Sequence, residues 1–166
     1  MSIFYKSQRV GKNEKPFIMY KFRTLKENTD KISSFANEEQ YTWCGRFLRK
    51  VKLDELPQLW NLIRRDINFV GPRPEEQRTI DVLPNDIKTI LLSRRPGLTS
   101  LASLHFFDET NILEESPEQH RDYWTKIKPM KILLDVFYIN NRNLLLDLWI
   151  ILKTISLIIR SFFTKY

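Results

Sequence analysis

The pattern of apolar residues predicts a β-hairpin at the start of the chain. Residues 3–5 and 17–22 are rich in aromatic and β-branched side chains, which favour strands. Gly11, Lys12 and Asn13 lie between these runs and are typical turn residues. The stretch that follows, residues 26–41, is polar with only a short helical pattern, so we expect it on the surface.

The middle of the chain predicts two consecutive helices. In residues 45–51 we expect Phe47 and Leu48 to face inward and the basic side chains outward. A second helix is expected next, with one buried apolar face at the spacing of three and four residues: Leu56, Leu59, Trp60 and Ile63. Pro57 fits only the first turn of that helix, where its missing N–H needs no partner. Asp54 is therefore expected to cap the helix.

The second half predicts further helices joined by polar segments. We expect a short helix over residues 84–93 and an irregular basic loop over residues 94–99. Residues 108–118 form an acidic stretch, expected to be solvated, that ends in a typical helix start at Ser116-Pro117-Glu118. The helical pattern then runs to Asn140, with an interruption at Pro129.

The last apolar stretch predicts a helix from Leu144 to Phe163. A membrane span needs about 20 apolar residues with few charges, and three charged residues interrupt this stretch: Asp147, Lys153 and Arg160. We therefore expect a moderately amphipathic helix that lies in a membrane interface or packs on the domain. Together the elements predict an α+β fold, a small, mainly helical single domain of residues 1–166. Its core would be residues 1–140, with an N-terminal β-hairpin, and its C-terminal amphipathic, interfacial helix would be residues 143–163.

The composition is that of one globular domain. Of the 166 residues, 42% are hydrophobic, which is enough for a single core. Cys44 is the only cysteine, so no intramolecular disulfide forms, and we expect it to be a buried small hydrophobe in a reducing compartment. The first nine residues contain no signal-peptide pattern. His105 and His120 have no metal-ligand spacing around them and are not expected to be catalytic.

Positive charge is concentrated in the first half of the chain. The net charge is +7: residues 1–74 carry 15 Lys and Arg against 8 Asp and Glu, and residues 75–166 carry 12 against 12. The excess positive charge of residues 1–74 suits binding to a diphosphate substrate, an anionic membrane surface or nucleic acid. The alternative is an ordinary solvated surface that is basic. The chain has no recognisable nucleic-acid-binding motif, which argues against that partner. Four carboxylates that follow are expected to be exposed: Glu75, Glu76, Asp81 and Asp86.

Two adjacent carboxylates, Asp54 and Glu55, are candidates for catalysis. They follow a basic run at a predicted helix start, where the partial positive charge favours ionised carboxylates and attracts phosphate. An ionised Asp near cations can attack phosphorus, and a neighbouring Glu can bind the metal that neutralises the phosphate. The alternative is that the pair only caps a helix, as acidic residues often do.

Residues 71–74, Gly71-Pro72-Arg73-Pro74, form a second candidate feature, called here the GPRP loop. The two prolines restrict φ on either side of Arg73 and make a stiff mount for its guanidinium. Such a mount suits bidentate recognition of phosphate or carboxylate. The alternative is an ordinary turn.

Several motifs in one order resemble the bacterial sugar transferase family, the monotopic phosphoglycosyl transferases. The central motifs are Arg49-Lys50-x-x-Leu53-Asp54-Glu55-Leu56-Pro57-Gln58-Leu59-x-Asn61 and Asp66-x-x-Phe69-Val70 followed by the GPRP loop. The others are Lys21-Phe22-Arg23-Thr24, Arg95-Pro96-Gly97-Leu98-Thr99, Asp135-x-x-Tyr138 and Leu146-Asp147-Leu148. Two positions depart from the family pattern. Lys52 stands where relatives usually have Ser or Thr, and residues 100–103 read Ser-Leu-Ala-Ser where Gly-Leu-Ala-Gln is common, which affects the local backbone and the sugar preference.

The resemblance implies an enzyme that moves a sugar 1-phosphate from a UDP-sugar to a polyprenyl phosphate and so initiates glycoconjugate assembly. In the implied ping-pong mechanism Asp54 attacks the β-phosphorus and UMP leaves, and Glu55 with Asp54 binds Mg²⁺ or Mn²⁺. The residues implied to bind substrate phosphate are Arg73, Arg95, Arg49, Arg23 and Lys21. The residues implied to support the site are Asp135, Pro72 and Gln58.

The resemblance also implies a location at the cytoplasmic face of a bacterial inner membrane, peripheral or monotopic. Relatives carry an N-terminal hydrophobic re-entrant helix, and this sequence shows none, so we expect attachment to an anionic membrane surface through the C-terminal helix and the basic half. A second interpretation stays open: a membrane-associated binding or regulatory module of the same fold without turnover.

Overall fold

The computed structural model describes residues 2–26, 40–114 and 118–163. It has the predicted small, mainly helical α+β fold. The first elements are β1 (Phe4–Val10), β2 (Pro16–Phe22), α1 (Trp43–Lys50), a 3-10 turn (Leu53–Glu55), α2 (Gln58–Ile63) and β3 (Asn68–Val70). Next come α3 (Gln77–Asp81), α4 (Asn85–Leu92), β4 (Gly97–Thr99), α5 (Leu101–His105) and α6 (Glu109–Glu114). The last are α7 (Gln119–Asp122), a π-helical segment (Tyr123–Ile127), α8 (Lys128–Asn141) and α9 (Leu144–Phe163).

The predicted N-terminal hairpin is confirmed, with longer strands than expected. β1 and β2 pair antiparallel along their full length, and the rings of Phe4 and Phe22 stack with their centroids 5.7 Å apart. At the tip, Asn13 has a φ of 55°, a left-handed conformation that Asn tolerates better than most residues. Among the described residues the other edge of β2 has no strand partner, and this edge decides how helix α2 packs.

Helix α2 packs with its polar side inward, so its predicted orientation is wrong. Asn61 is fully buried; its side-chain amide donates to the carbonyl of Ile18 at 2.7 Å, and its Oδ1 accepts from the N–H of Tyr20 at 3.2 Å. Ile18 and Tyr20 lie on the free edge of β2, where leaving either backbone group buried without a partner costs about 1–3 kcal/mol. The four apolar residues expected in the core are instead 42–72% exposed: Leu59, Leu56, Trp60 and Ile63.

A short parallel pair, β3 with β4, fixes the start of the GPRP loop. Val70 pairs with Thr99, so the expected irregular loop at residues 94–99 contains a strand. The two backbones approach so closely that a Cβ on Gly97 would lie 2.2 Å from the nitrogen of Gly71, and a Cβ on Gly71 would lie 2.6 Å from the carbonyl oxygen of Arg95. Both positions therefore require glycine, because any side chain would separate the strands.

The two C-terminal helices pack on this parallel pair. Tyr138 of α8 and Ile150 of α9 are buried with Val70, and the Tyr138 hydroxyl donates to Asp147 at 2.6 Å. α8 is not interrupted at Pro129 as predicted, since this proline lies in its first turn, where helices accept it.

The opposite face of α9 is apolar and exposed. It repeats at the spacing of three and four residues through Leu145, Leu148, Leu152, Ile155, Ile159 and Phe162. The helix begins and ends at the predicted residues, but it has apolar residues on two sides rather than one. Among the helices of the described ranges, none has the length and hydrophobicity to cross a membrane.

Several burial predictions are wrong. Cys44 and Phe47 of α1 are exposed rather than buried. Glu75 is buried in an ion pair with Lys128, whereas Asp81 and Asp86 are exposed as expected and Glu76 is half-buried. The helix start predicted at residues 116–118 and most of the polar stretch at residues 26–41 lie outside the described ranges.

Part of the stretch predicted to be an acidic, solvated loop, Glu109–Glu114, forms helix α6. Its Glu109 lies 2.6 Å from the ammonium of Lys131 in α8. The partners of Glu75 and Glu109 both come from α8, which is distant in sequence. A local pattern of charges gives no information on such partners.

Candidate active site

Most of the predicted site residues line one cleft of about 550 Å³. Its lining includes Lys21, Arg23, Arg49, Asp54, Glu55, Gln58 and Arg73. Pro72 and Asp135 are buried, and Asp135 accepts from the N–H of Arg73 in the cleft lining; their supporting role stays a prediction. Arg95 is exposed and is not among the described residues that line the cleft, so its predicted phosphate contact has no support in the structure.

Asp54 is a buried carboxylate in the lining of this cleft. It is 9% exposed, and its Oδ1 has no hydrogen-bond partner within the described part of the chain. Burial raises the pKa of Asp54, although Lys21 acts in the opposite direction. Asp54 is the second residue of the turn Leu53–Glu55 and α2 begins only at Gln58, so the prediction that Asp54 caps this helix is wrong. Its unpartnered oxygen is available to a ligand.

Glu55 differs from its neighbour because cations surround it. Its Oε1 lies 2.6 Å from Nζ of Lys21. Burial by itself would raise the pKa of Glu55, but Lys21 and Arg73 outweigh burial and hold the pKa at about 2. Glu55 is therefore firmly ionised, and Lys21, predicted to bind phosphate, already has a carboxylate partner in this structure.

Arg73 is held at both its backbone and its side chain. Its N–H donates to Oδ2 of Asp135 at 2.8 Å, and its Nη1 donates to Oγ of Ser103 at 2.9 Å. Ser103 is one of the departures from the family pattern. Its hydroxyl therefore orients the guanidinium in this chain. The remaining guanidinium N–H groups stay available for a ligand in the cleft.

Asp135 is expected to make the folded protein less stable as the pH rises from about 4 to 7. Burial raises the pKa of Asp135 to about 7, although the N–H of Arg73 favours its ionised form. The unfolded chain releases this proton near pH 4, so between these pH values the folded state binds more protons and loses stability as the pH increases. Asp135→Asn keeps an acceptor for the N–H of Arg73 but has no proton to release. We therefore expect the melting temperature of this variant to lack the decrease that Asp135 causes between about pH 4 and 7. A melting-temperature difference between variant and wild type that does not change with pH would contradict the raised pKa.

The cleft also includes residues that were not predicted to belong to the site: Lys52, Glu75, Tyr123, Trp124 and Lys128. Tyr123 and Trp124 belong to the π-helical segment, a type of helix irregularity that is frequent at functional sites. No local sequence signal marks this irregularity. Lys52 did carry a signal, since it departs from the family pattern two residues before Asp54.

Comparisons with known proteins agree on one family. The family described as bacterial sugar transferase matches residues 1–161. An uncharacterized sugar transferase, EpsL of Bacillus subtilis, is 35% identical over 96% of this chain and 71% of its own length. The UDP-N-acetylgalactosamine-undecaprenyl-phosphate N-acetylgalactosaminephosphotransferase of Aeromonas hydrophila is 31% identical over 96% of this chain. The undecaprenyl-phosphate galactose phosphotransferase of Salmonella typhimurium is 30% identical over 94%. This chain spans only 36% and 33% of the lengths of these last two proteins.

Proposed function

This chain belongs to the bacterial sugar transferase family, and on that premise we propose that it transfers a sugar 1-phosphate from a UDP-sugar to a polyprenyl phosphate. The observation that carries the proposal is Asp54, a buried carboxylate with an unpartnered oxygen in a cleft lined by cations. The names of two relatives support the acceptor, since both act on undecaprenyl phosphate. The product would be the lipid-linked sugar that initiates a surface glycan.

The proposed reaction has two displacements at phosphorus. In the first, an oxygen of Asp54 attacks the β-phosphorus, the bond from this phosphorus to the bridging oxygen breaks, and UMP leaves with the electron pair. In the second, an oxygen of polyprenyl phosphate attacks the aspartyl phosphosugar and restores the Asp54 carboxylate. Arg73 would bind phosphate oxygens in both steps, because its guanidinium is fixed and suits two-point contact with phosphate.

A divalent cation fits the carboxylate pair. Asp54 has an oxygen without a partner and Glu55 is ionised, and hard cations such as Mg²⁺ and Mn²⁺ prefer carboxylate and phosphate oxygens. Among the described residues no group of three or more His, Cys, Asp or Glu could hold a metal, so the remaining ligands would come from the donor and water. Bound there, the metal would neutralise the charge of the diphosphate.

The proposal predicts that the protein releases UMP from a suitable UDP-sugar before any acceptor is added. We expect release with at least one member of a UDP-sugar panel, and loss of release in excess chelator, because two carboxylates repel an unshielded diphosphate. Restored release on adding Mg²⁺ back controls for damage by the chelator. Release that continues unchanged in chelator would contradict the metal. No release from any donor, with vesicle binding intact, would favour the regulatory interpretation instead.

The proposed acceptor stays in a bilayer, and the exposed apolar surface suits contact with one. The outward face of α9 adjoins α1, where the rings of Phe47 and Phe162 lie 6.5 Å apart. Burying such side chains at an interface contributes several kcal/mol at about 25 cal/mol per Å², and each nearby Lys or Arg adds about 1 kcal/mol on anionic lipid. We propose that the protein binds the anionic cytoplasmic face of a bacterial inner membrane, as a peripheral or monotopic protein.

Substitutions on the outward face of α9 are expected to release the protein from anionic vesicles. Leu152→Glu combined with Ile159→Glu places two carboxylates in the apolar face, and flotation with phosphatidylglycerol vesicles should drop at least about tenfold. Val82→Glu, at an apolar position that is 77% exposed between α3 and α4, is the matched control and should float like wild type. Wild-type binding should weaken in high salt. Equal flotation of all three proteins would contradict α9 as the attachment surface.

A further inference from the structure

Lys52 occupies an unusual position between α1 and the turn that carries Asp54. Its backbone has a φ of 57° and a ψ of 18°, a left-handed conformation that is uncommon for residues other than glycine. Its N–H donates to the carbonyl of Arg49 at 3.1 Å, which closes the end of α1. This bend brings the Lys52 side chain into the lining of the cleft, two residues before Asp54.

The ammonium of Lys52 makes no ion pair with any described carboxylate. Its Nζ lies 5.0 Å from the centre of the Phe107 ring, a cation–π contact. By contrast, Lys21 pairs with Glu55 and Lys128 pairs with Glu75 in the same cleft. Lys52 is thus a partly buried positive charge that forms no ion pair within the described part of the chain.

Arg49 and Arg73 line the same cleft as Lys52, and among the described residues neither makes an ion pair with a carboxylate. The guanidinium of Arg49 lies over the ring of Tyr41 at 5.3 Å, and that of Arg73 is bound to the neutral Ser103. Three cations that line one cleft favour an anion with several negative charges.

We propose that Lys52 binds the diphosphate of the donor and forms, with Arg49 and Arg73, a three-cation subsite beside Asp54. This inference rests on the proposed function for the identity of the donor, but the subsite itself is defined by its charges. A Ser at this position, as the resemblance would suggest, has no such charge.

The test is calorimetric binding of two probes to the full chain: UDP, the portion common to all UDP-sugars, and inorganic pyrophosphate. Lys52→Met removes the charge and keeps most of the stem; we expect Kd for both probes to rise about tenfold, as for the loss of one charged hydrogen bond. Lys52→Arg keeps the charge and should stay within about threefold of wild type. Lys15→Met, on the exposed part of the hairpin, is the matched control and should bind like wild type.

Lys52→Gly distinguishes the effect of the lost charge on binding from the effect of the left-handed backbone conformation on stability. Glycine adopts the left-handed conformation without strain, so this variant should melt no lower than wild type and still lose about as much affinity as Lys52→Met. If Lys52→Met and Lys52→Gly bind both probes as tightly as wild type, or if Lys52→Arg loses as much affinity as Lys52→Met, the inference is overturned.

The two probes separate this inference from the proposed function. Wild-type binding of pyrophosphate but not UDP, with a Lys52-dependent Kd, supports the three-cation subsite and overturns the UDP-sugar donor. Wild-type binding of UDP that is insensitive to Lys52 overturns the subsite and leaves the donor standing. If wild type binds neither probe, both the subsite and the donor are overturned.

Discussion

Asp54→Asn is expected to abolish sugar-phosphate transfer and leave the fold intact. The amide cannot form the aspartyl phosphosugar, and loss of a covalent nucleophile costs at least about a thousandfold in rate. The change is nearly isosteric. Because burial raises the pKa of the native carboxyl, ionised Asp54 destabilises the folded state above the pKa of the unfolded chain, and a neutral amide removes that cost. We therefore expect an unchanged or slightly higher melting temperature at neutral pH.

Intact-protein mass spectrometry with a UDP-sugar that supports UMP release is the direct measurement for Asp54. Wild type without acceptor should gain the mass of one sugar phosphate, and Asp54→Asn should gain none. Asp86→Asn, an exposed carboxylate on α4, is the matched control and should form the adduct as wild type does. An adduct that persists in Asp54→Asn would place the nucleophile elsewhere.

Arg73→Lys is expected to reduce the rate of UMP release about a hundredfold, although the charge is kept. Lys lacks the planar fork that here bonds Ser103 with one N–H and leaves others for phosphate. The bond from the Arg73 N–H to Asp135 belongs to the backbone, so the GPRP loop should stay in place and the melting temperature should change little.

Two comparisons make the Arg73 result specific. Arg64→Lys, at a guanidinium that is 55% exposed near Asp66, should release UMP at the wild-type rate. Ser103→Ala removes the hydroxyl that orients Arg73 and should cause a smaller loss than Arg73→Lys, because the fork itself remains. A near wild-type rate in Arg73→Lys would mean that the GPRP loop has a structural role only.

The sequence was a reliable guide wherever the deciding contacts are local. The hairpin, α4 and the limits of α9 follow from turn residues and from the period of apolar positions, which act over a few neighbouring residues. The motifs also assign Asp54, Glu55 and Arg73 to one site, and the fold places all three in the lining of one cleft.

Tertiary contacts decided what the periodicity leaves undetermined. A three-to-four spacing shows that α2 has an apolar face, but not which neighbour that face meets. The side chain of Asn61 hydrogen-bonds to backbone groups of β2 about forty positions earlier in the chain, and these bonds set the orientation of α2. Trp60 and Ile63 are therefore exposed. Hydrophobic burial is non-directional, whereas a buried backbone group needs a particular partner, so the hydrogen bonds set the orientation.

The charged residues of the site show the same division. The sequence by itself determined which carboxylates and cations belong to the chain and in what order. Only the fold decided that Glu75 and Glu109 are paired with lysines of α8. It also decided that Arg95 is not among the described residues lining the cleft, and that Lys52 faces the cleft without an ion pair to a described carboxylate. The physical reason is that electrostatic interaction depends on separation in space and on burial, and neither quantity is encoded in the spacing of residues along the chain.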